Sequence, residues 1–434
     1  MNKFFFNLII FLLLTIRIAV AQQKKNYITV VGDKMVGRVI NGESIREVIG
    51  HVLLTQGNVR ITCNKAIQYL AKNNAELIGN VVAKQDSLTI TTEHALYYGK
   101  ERKVESDVPV KLDDKKVILS ADSGIYYFND NKAVFQHNVT LYDTTTTLTS
   151  NSLTYFKNLN KAIAVGNVKI IDKDNIIQAD SLIHFRNTGI SYANENVRIT
   201  NLHNHVMIFG NHLEDYPKKS YTLVTGNPLF LQIDTSYVKN IDTPLSIGGK
   251  TNFTIHIDTL IISAQVMQSW RDTINIFQAS NSVEILKGQF ASKNDFTIYY
   301  RNKGKMVINK IKQESKQPII WYSNSQLTGD SITIYLKQNK IQRLEVYKKA
   351  FLLSQNEIYK SRFNQMSGTK IIMYFSNGNL HQTNIYGDVH SIYYMFEDSI
   401  ANGLIKSSAR SLKVSCIFYL NLKFIRIDRL KKNY

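Results

Sequence analysis

Cysteine and proline are scarce. Across 434 residues there are 2 Cys, at Cys63 and Cys416, too few and too far apart for a disulfide framework or a cysteine-rich zinc site. The 5 Pro and 21 Gly exclude collagen, Pro-rich spacers and flexible tethers. Beyond residue 21 no run reaches the roughly 18 apolar residues of a membrane-spanning helix. What is present can build a core, since 44% of residues are hydrophobic and 20% charged. The 24 Tyr and 20 Phe favour strands over helices.

Lys3 precedes an apolar run from Phe4 to Ile16, and Ala19-Val20-Ala21 precedes Gln22. A basic start, a short apolar core and an A-x-A end predict a secretory signal over residues 1–21, with Gln22 as the mature N-terminus. No cysteine follows the small residues, so a lipid anchor is not expected. The formal charge of +19 falls to +17 once Lys3 and Arg17 are removed. An exported chain without a recognition-helix pattern is not a nucleic-acid binder. The charge points instead to an anionic lipid, an acidic polysaccharide or a negative membrane surface. Lysine protection of strand edges accounts for part of it.

Internal repetition decides the fold. From Gly50 the chain repeats every 29 residues for five units without insertion or deletion. Val52, Val81, Val110, Val139, Val168 and Val197 share one register position. Leu54, Ala83, Leu112, Leu141, Ile170 and Ile199 share a second, and Ile61, Ile90, Leu119, Leu148 and Ile177 a third. Tyr69, Tyr98, Tyr127, Phe156 and Phe185 form an aromatic column. Asn80, Asn138, Asn167 and Asn196 precede the valine column, with Gly79 and Gly166 before two of them. Alternating runs bounded by Gly and Asn predict about four strands of three to five residues per unit. Stacked units would form two facing sheets, with the valine, aliphatic and aromatic columns inward. After Asn201 the register loosens. A unit near 39 residues then relates Gln326, Gly329, Ile332, Tyr335, Ile341, Val346 and Ala350 to Gln365, Gly368, Ile371, Tyr374, Leu380, Ile385 and Val389.

Catalytic signatures are missing. Gly248-Gly249-Lys250-Thr251 resembles the end of a phosphate loop, but Pro244 stands where the leading glycine belongs, and a turn is expected. His203 and His205 would share a strand face and so are metal candidates, with His212 nearby, although exposed histidines are commoner. Asp172-x-Asp174 begins like a calcium loop, yet Ile177 replaces the required glycine. Asp122-Ser123 and Asp180-Ser181 recur with the repeat, which marks a structural hydrogen bond rather than a catalytic centre. No enzyme activity and no cofactor are expected.

Gly79-Asn80-Val81, Asn151-Ser152-Leu153-Thr154-Tyr155-Phe156, Gly166-Asn167-Val168 and Asp180-Ser181-Leu182-Ile183-His184-Phe185 carry a recurring phrase. It resembles the organic-solvent-tolerance-like (OstA-like) domain of the periplasmic lipopolysaccharide-transport bridge proteins. The likeness is good over residues 28–200 and one of style over 201–414. It implies an all-β fold, a twisted β-jellyroll of short antiparallel strands in two facing sheets. The domains expected are a signal over 1–21, a 29-residue-repeat jellyroll over 22–235, and a more divergent β-repeat region over 236–434. The resemblance further implies a periplasmic carrier of lipopolysaccharide or lipid A, bridging inner and outer membranes through edge-strand pairing with other transport proteins. Inward residues of the middle units, Val81, Ile90, Leu119, Val139, Leu148 and Val168, are then the expected lipid-binding set. A structural or adhesive envelope protein without lipid cargo is the alternative, since the same repeats would serve it.

Overall fold

The computed structural model describes residues 27–239 and 253–429, apart from 204, 274, 312–315, 338–339, 357–358, 377–378, 398–399 and 420–421. The expected signal and the Gly248-Gly249-Lys250-Thr251 turn lie outside the described residues. Among those described, the chain is antiparallel strand, interrupted by single 3-10 turns at Lys157–Leu159, Pro217–Lys219 and Arg301–Lys303, with no α-helix. The all-β reading holds. Two compact units divide between Thr144 and Thr145, and position 235 lies inside the second.

In unit 1 each repeat is one hairpin with long arms. Glu43–Gln56, Val59–Tyr69, Asn74–Gln85 and Leu88–Tyr98 pair in sequence order as an antiparallel meander. The arms hold 11 to 14 residues, not the three to five expected, so there are half as many strands at about three times the length. Gly57-Asn58 and Asn73 are turns between arms as expected, whereas the Gly and Asn positions just before the valine column are corners inside continuous arms. Gly50-His51, Gly79-Asn80 and His137-Asn138 have positive φ at both residues, and the pairing register slips at the first two. Such a bulge lets one arm leave one sheet and enter the facing one. Asn and Gly suit it because they tolerate the left-handed region.

Proline takes the same place where the arm breaks. Val108-Pro109 occupies the corner position between Gly79-Asn80 and His137-Asn138, and the arm there splits into Lys103–Ser106 and Val110–Asp113. Proline cannot adopt positive φ and donates no ladder hydrogen bond.

The corners also correct the aromatic column. Along Val59–Tyr69 the buried positions are Val59, Ile61 and Cys63, then Ala66 and Gln68, a step of three at the bend. That offset turns Tyr69, Tyr98 and Tyr127 outward and half-buried, contrary to the inward placement expected for them. They stack under lysines, with Lys72 over Tyr69 at 5.6 Å, Lys103 over Tyr98 at 4.3 Å and Lys132 over Tyr127 at 5.4 Å. The inward aromatics are their neighbours Tyr97 and Tyr126, at 0% and 1% exposure. Tyr97 crosses the sandwich, donating its hydroxyl to Gln56 Oε1 over 2.6 Å, and Gln56 Nε2 donates to the Gly99 carbonyl. The valine column and the two aliphatic columns are buried throughout unit 1.

Unit 2 starts in the same register. Thr147–Phe156, Lys161–Ile171, Asn175–Phe185 and Ile190–Asn201 pair in order, with corners at Gly166-Asn167 and Glu195-Asn196. Phe156 and Phe185 are again half-buried on the outside, while Tyr155 is buried. Arms of 16, 14 and 19 residues follow at Lys340–Gln355, Phe363–Ser376 and Asn379–Glu397. Their corners, Lys348-Lys349 and Gly387-Asp388, keep the longer spacing. Ile332 and Ile371, Val346 and Ile385, and Ala350 and Val389 are buried as pairs.

Candidate functional site

The six side chains expected to meet lipid are all in closed cores. In unit 1, Val81, Ile90, Leu119 and Val139 are 1%, 3%, 0% and 1% exposed. Ile90 lies opposite Ala83 and Leu112, and Leu119 opposite Leu112 and Leu141. A void of about 10 Å³ beside Ile90 is too small for an acyl chain. In unit 2, Leu148 and Val168 are equally buried, opposite Ile170 and Ala179.

The recurring Asp and Asn residues make a polar rail at the corners. Asn138 Nδ2 donates to Asp122 Oδ2 over 2.7 Å in unit 1. In unit 2, Asn196 repeats the bond to Asp180 at 2.7 Å, and Asn167 reaches Asn151 at 3.4 Å. The acceptors open the Asp-Ser and Asn-Ser pairs, which are therefore corner ties. Asp172 accepts the N–H groups of Asp174 and Asn175, closing a turn. His203 and His205 lie in the turn before Val206–Tyr216, not on a strand, so they do not share a strand face. Their spacing holds no metal geometry: no cluster of three or more His, Cys, Asp or Glu suited to a metal occurs among the described residues. Cys63 is buried, donates its thiol to the Lys65 carbonyl, and is pushed up in pKa by that burial.

Where the strict register ends, unit 2 opens. An open groove of about 860 Å³ is lined mainly by the arms from Ile190–Asn201 to Phe290–Tyr300, with Asn175, Arg301 and Lys340 beyond them. Its apolar floor includes Ile199, Ile208, Phe230, Leu260, Ile262 and Phe277. Ile199, Ile208 and Leu260 are only half-buried, although Ile199 continues a column that is buried in earlier repeats. The corner has moved two residues along, to Gly226-Asn227, and Pro228 follows it. The arm accordingly splits into Tyr221–Thr225 and Leu229–Lys239, and its two halves pair with different neighbours, Val266–Trp270 and Phe253–Ser263.

The mouth is basic. His203, His205, Arg271, Arg301 and Lys340 line it, and no Asp or Glu does so among the described residues. His203 Nε2 lies 3.2 Å from Asp174 Oδ1, and Arg271 Nη2 donates to Asp215 Oδ1 over 2.8 Å. Arg301 has a neutral partner, donating from Nη1 to Asn275 Oδ1 over 3.1 Å. Its guanidinium stands 5.6 Å from the Phe277 ring centre. Burial pushes the Arg301 pKa down; Tyr299 beside it works the other way, and the nearby Arg271 charge adds a smaller push down. Sequence reasoning missed these residues. The available signal was an arginine directly after an aromatic strand end, Trp270-Arg271 and Tyr300-Arg301.

Stacked bent hairpins, with an apolar groove at one stretch, define a repeat-built, jellyroll-like all-β fold with an open cleft. The family model of OstA-like proteins matches residues 31–180 and, overlapping them, 117–207. Residues 31–207 are thus similar to OstA-like proteins; they include the described strands of unit 1 from Lys34 onward and the first arms of unit 2. No curated protein matches it. No helix among the described residues is long and apolar enough to cross a membrane.

Proposed function

We propose that this chain is a non-catalytic periplasmic carrier of lipopolysaccharide, holding the acyl part in the unit 2 groove on its way between the two membranes. The observation that carries the reading is the groove itself, an apolar floor under a basic mouth in a chain whose first half is OstA-like. Each acyl methylene buried there contributes about 0.8 kcal/mol. A few buried chains give useful affinity without a specific polar contact. The six central residues Val81, Ile90, Leu119, Val139, Leu148 and Val168 extend the lipid path only when the facing sheets part.

Bridging to other envelope proteins uses the N-terminal edge. Lys34–Ile40 pairs with Glu43–Ile49, leaving its other backbone edge free among the described residues. It also exposes Met35, Val39 and Ile40. An edge of this kind accepts a partner strand.

The test is photocrosslinking in cells. A crosslinking residue at Phe277 should capture lipopolysaccharide, whereas one at the exposed Lys293 should not. Capture from Lys293 alone would exclude the groove. No capture from either would favour a structural envelope protein without cargo.

A further inference from the structure

We infer that the groove mouth is an anion site for the phosphorylated headgroup of the amphiphile, with Arg301 as its main donor. The inference rests on the carrier reading and adds a specificity to it. A half-buried arginine packed against apolar side chains is normally matched by a carboxylate, because an unbalanced charge shielded from water is costly. Arg301 has no carboxylate within ion-pair distance among the described residues. It is held by the Asn275 amide oxygen and packs on the Phe277 ring. The backbone fixes it too, since Arg301 N–H donates to the Asn275 carbonyl over 3.0 Å.

No carboxylate lines the groove among the described residues, and the other charged groups that do are basic. Arg271, whose charge acts on Arg301, is already balanced by Asp215, and Asp215 also accepts from the Thr222 hydroxyl over 2.6 Å. Lys340 lines the same mouth without a carboxylate partner among the described residues. His203 is shared with Asp174. Arg301, half-buried and without a carboxylate partner among the described residues, therefore stands on the lining of an apolar groove, and the exposed Lys340 lines the same groove. A planar guanidinium fork matches phosphate oxygens in geometry and charge. A ligand that satisfies both halves of the site carries phosphate on an apolar body.

The test titrates the full chain with three probes: diphosphoryl lipid A, the same lipid A after phosphatase treatment, and inorganic phosphate. The wild type should bind the diphosphoryl form about tenfold more tightly than the dephosphorylated form, the size of one charge-assisted hydrogen bond. Arg301→Gln should abolish that preference, and a urea midpoint matching wild type shows that the variant is folded. Arg301→Lys should keep part of the preference through its charge. A preference that survives in Arg301→Gln overturns the assignment. Inorganic phosphate binding as tightly as diphosphoryl lipid A would replace the headgroup site with a free-anion site. If neither lipid binds the wild type, the carrier reading fails and this inference falls with it.

Discussion

Asn138 donates its side-chain amide to the Asp122 carboxylate across the corner of unit 1, 2.7 Å from nitrogen to oxygen. Asn138 is also one of the two left-handed residues of that corner, at φ +50° beside His137 at φ +63°. One residue thus supplies both the left-handed backbone and the tie to the preceding arm. Asn138→Val should destabilise unit 1 by about 2–3 kcal/mol, from left-handed strain of a branched residue plus one lost hydrogen bond. Asn138→Gly keeps the backbone and loses only the bond, so about 1 kcal/mol is expected. Urea unfolding of the two variants checks this. Equal losses would mean that strain is not what selects asparagine.

Tyr97 ties unfolding to alkaline pH. Burial pushes its pKa from the ordinary 10.0 to about 12. The folded state then holds the proton more tightly than the unfolded state. This contribution is complete below pH 10 and is lost as pH rises toward 12. Two pKa units correspond to about 2.7 kcal/mol at most. Urea midpoints measured from pH 9 to 12 should therefore fall more steeply for wild type than for Tyr97→Phe. Parallel curves would show that Tyr97 does not stay protonated in the fold.

The repeat made much of this architecture legible. A column such as Val52, Val81 and Val110 recurs only if each copy meets the same neighbours, and all three are buried. The error at Tyr69 has one cause: a bend within an arm offsets the alternation, and a single sequence does not separate a corner from a turn when both use Gly and Asn. Ala66 and Gln68 were the counter-signal, because a small residue and an amide hide an inward pair that Ala95 and Tyr97 display. The groove was illegible for a different reason. It arises where the strict 29-residue period fails: Trp270 and Tyr300 both register with Ile276, so Arg271 and Arg301 follow equivalent positions 30 residues apart, one step off the period that marked the earlier columns.

The groove floor should be sensitive to filling. Ile208 is half-buried and lines it, so Ile208→Trp places a ring where acyl methylenes would lie. Displacing two methylenes should weaken lipid A binding by about 1.6 kcal/mol, somewhat over tenfold in Kd. Titration of both proteins with detergent-dispersed lipid A reads this directly. Unchanged affinity, with unfolding also unchanged, would place the acyl chains elsewhere.

The N-terminal edge gives the last prediction. Val39 is 71% exposed on Lys34–Ile40, between Arg38 and Ile40, and lies opposite Ser44 on the one strand that Lys34–Ile40 pairs with. Its side chain stabilises nothing visible in unit 1, yet it lies on an apolar strand with a free backbone edge. Charge on such an edge discourages a further strand from pairing. Val39→Lys should therefore leave unfolding within about 0.5 kcal/mol of wild type, as a surface change does. The same variant should lose co-purification with envelope partners and slow lipopolysaccharide delivery in cells. Gly37→Pro goes further, because it also removes a backbone donor from the edge strand. If both variants keep their partners and deliver lipid at the wild-type rate, the joint is not at this edge. Should Val39→Lys alone keep its partners, pairing would depend on the backbone and not on the apolar side chains.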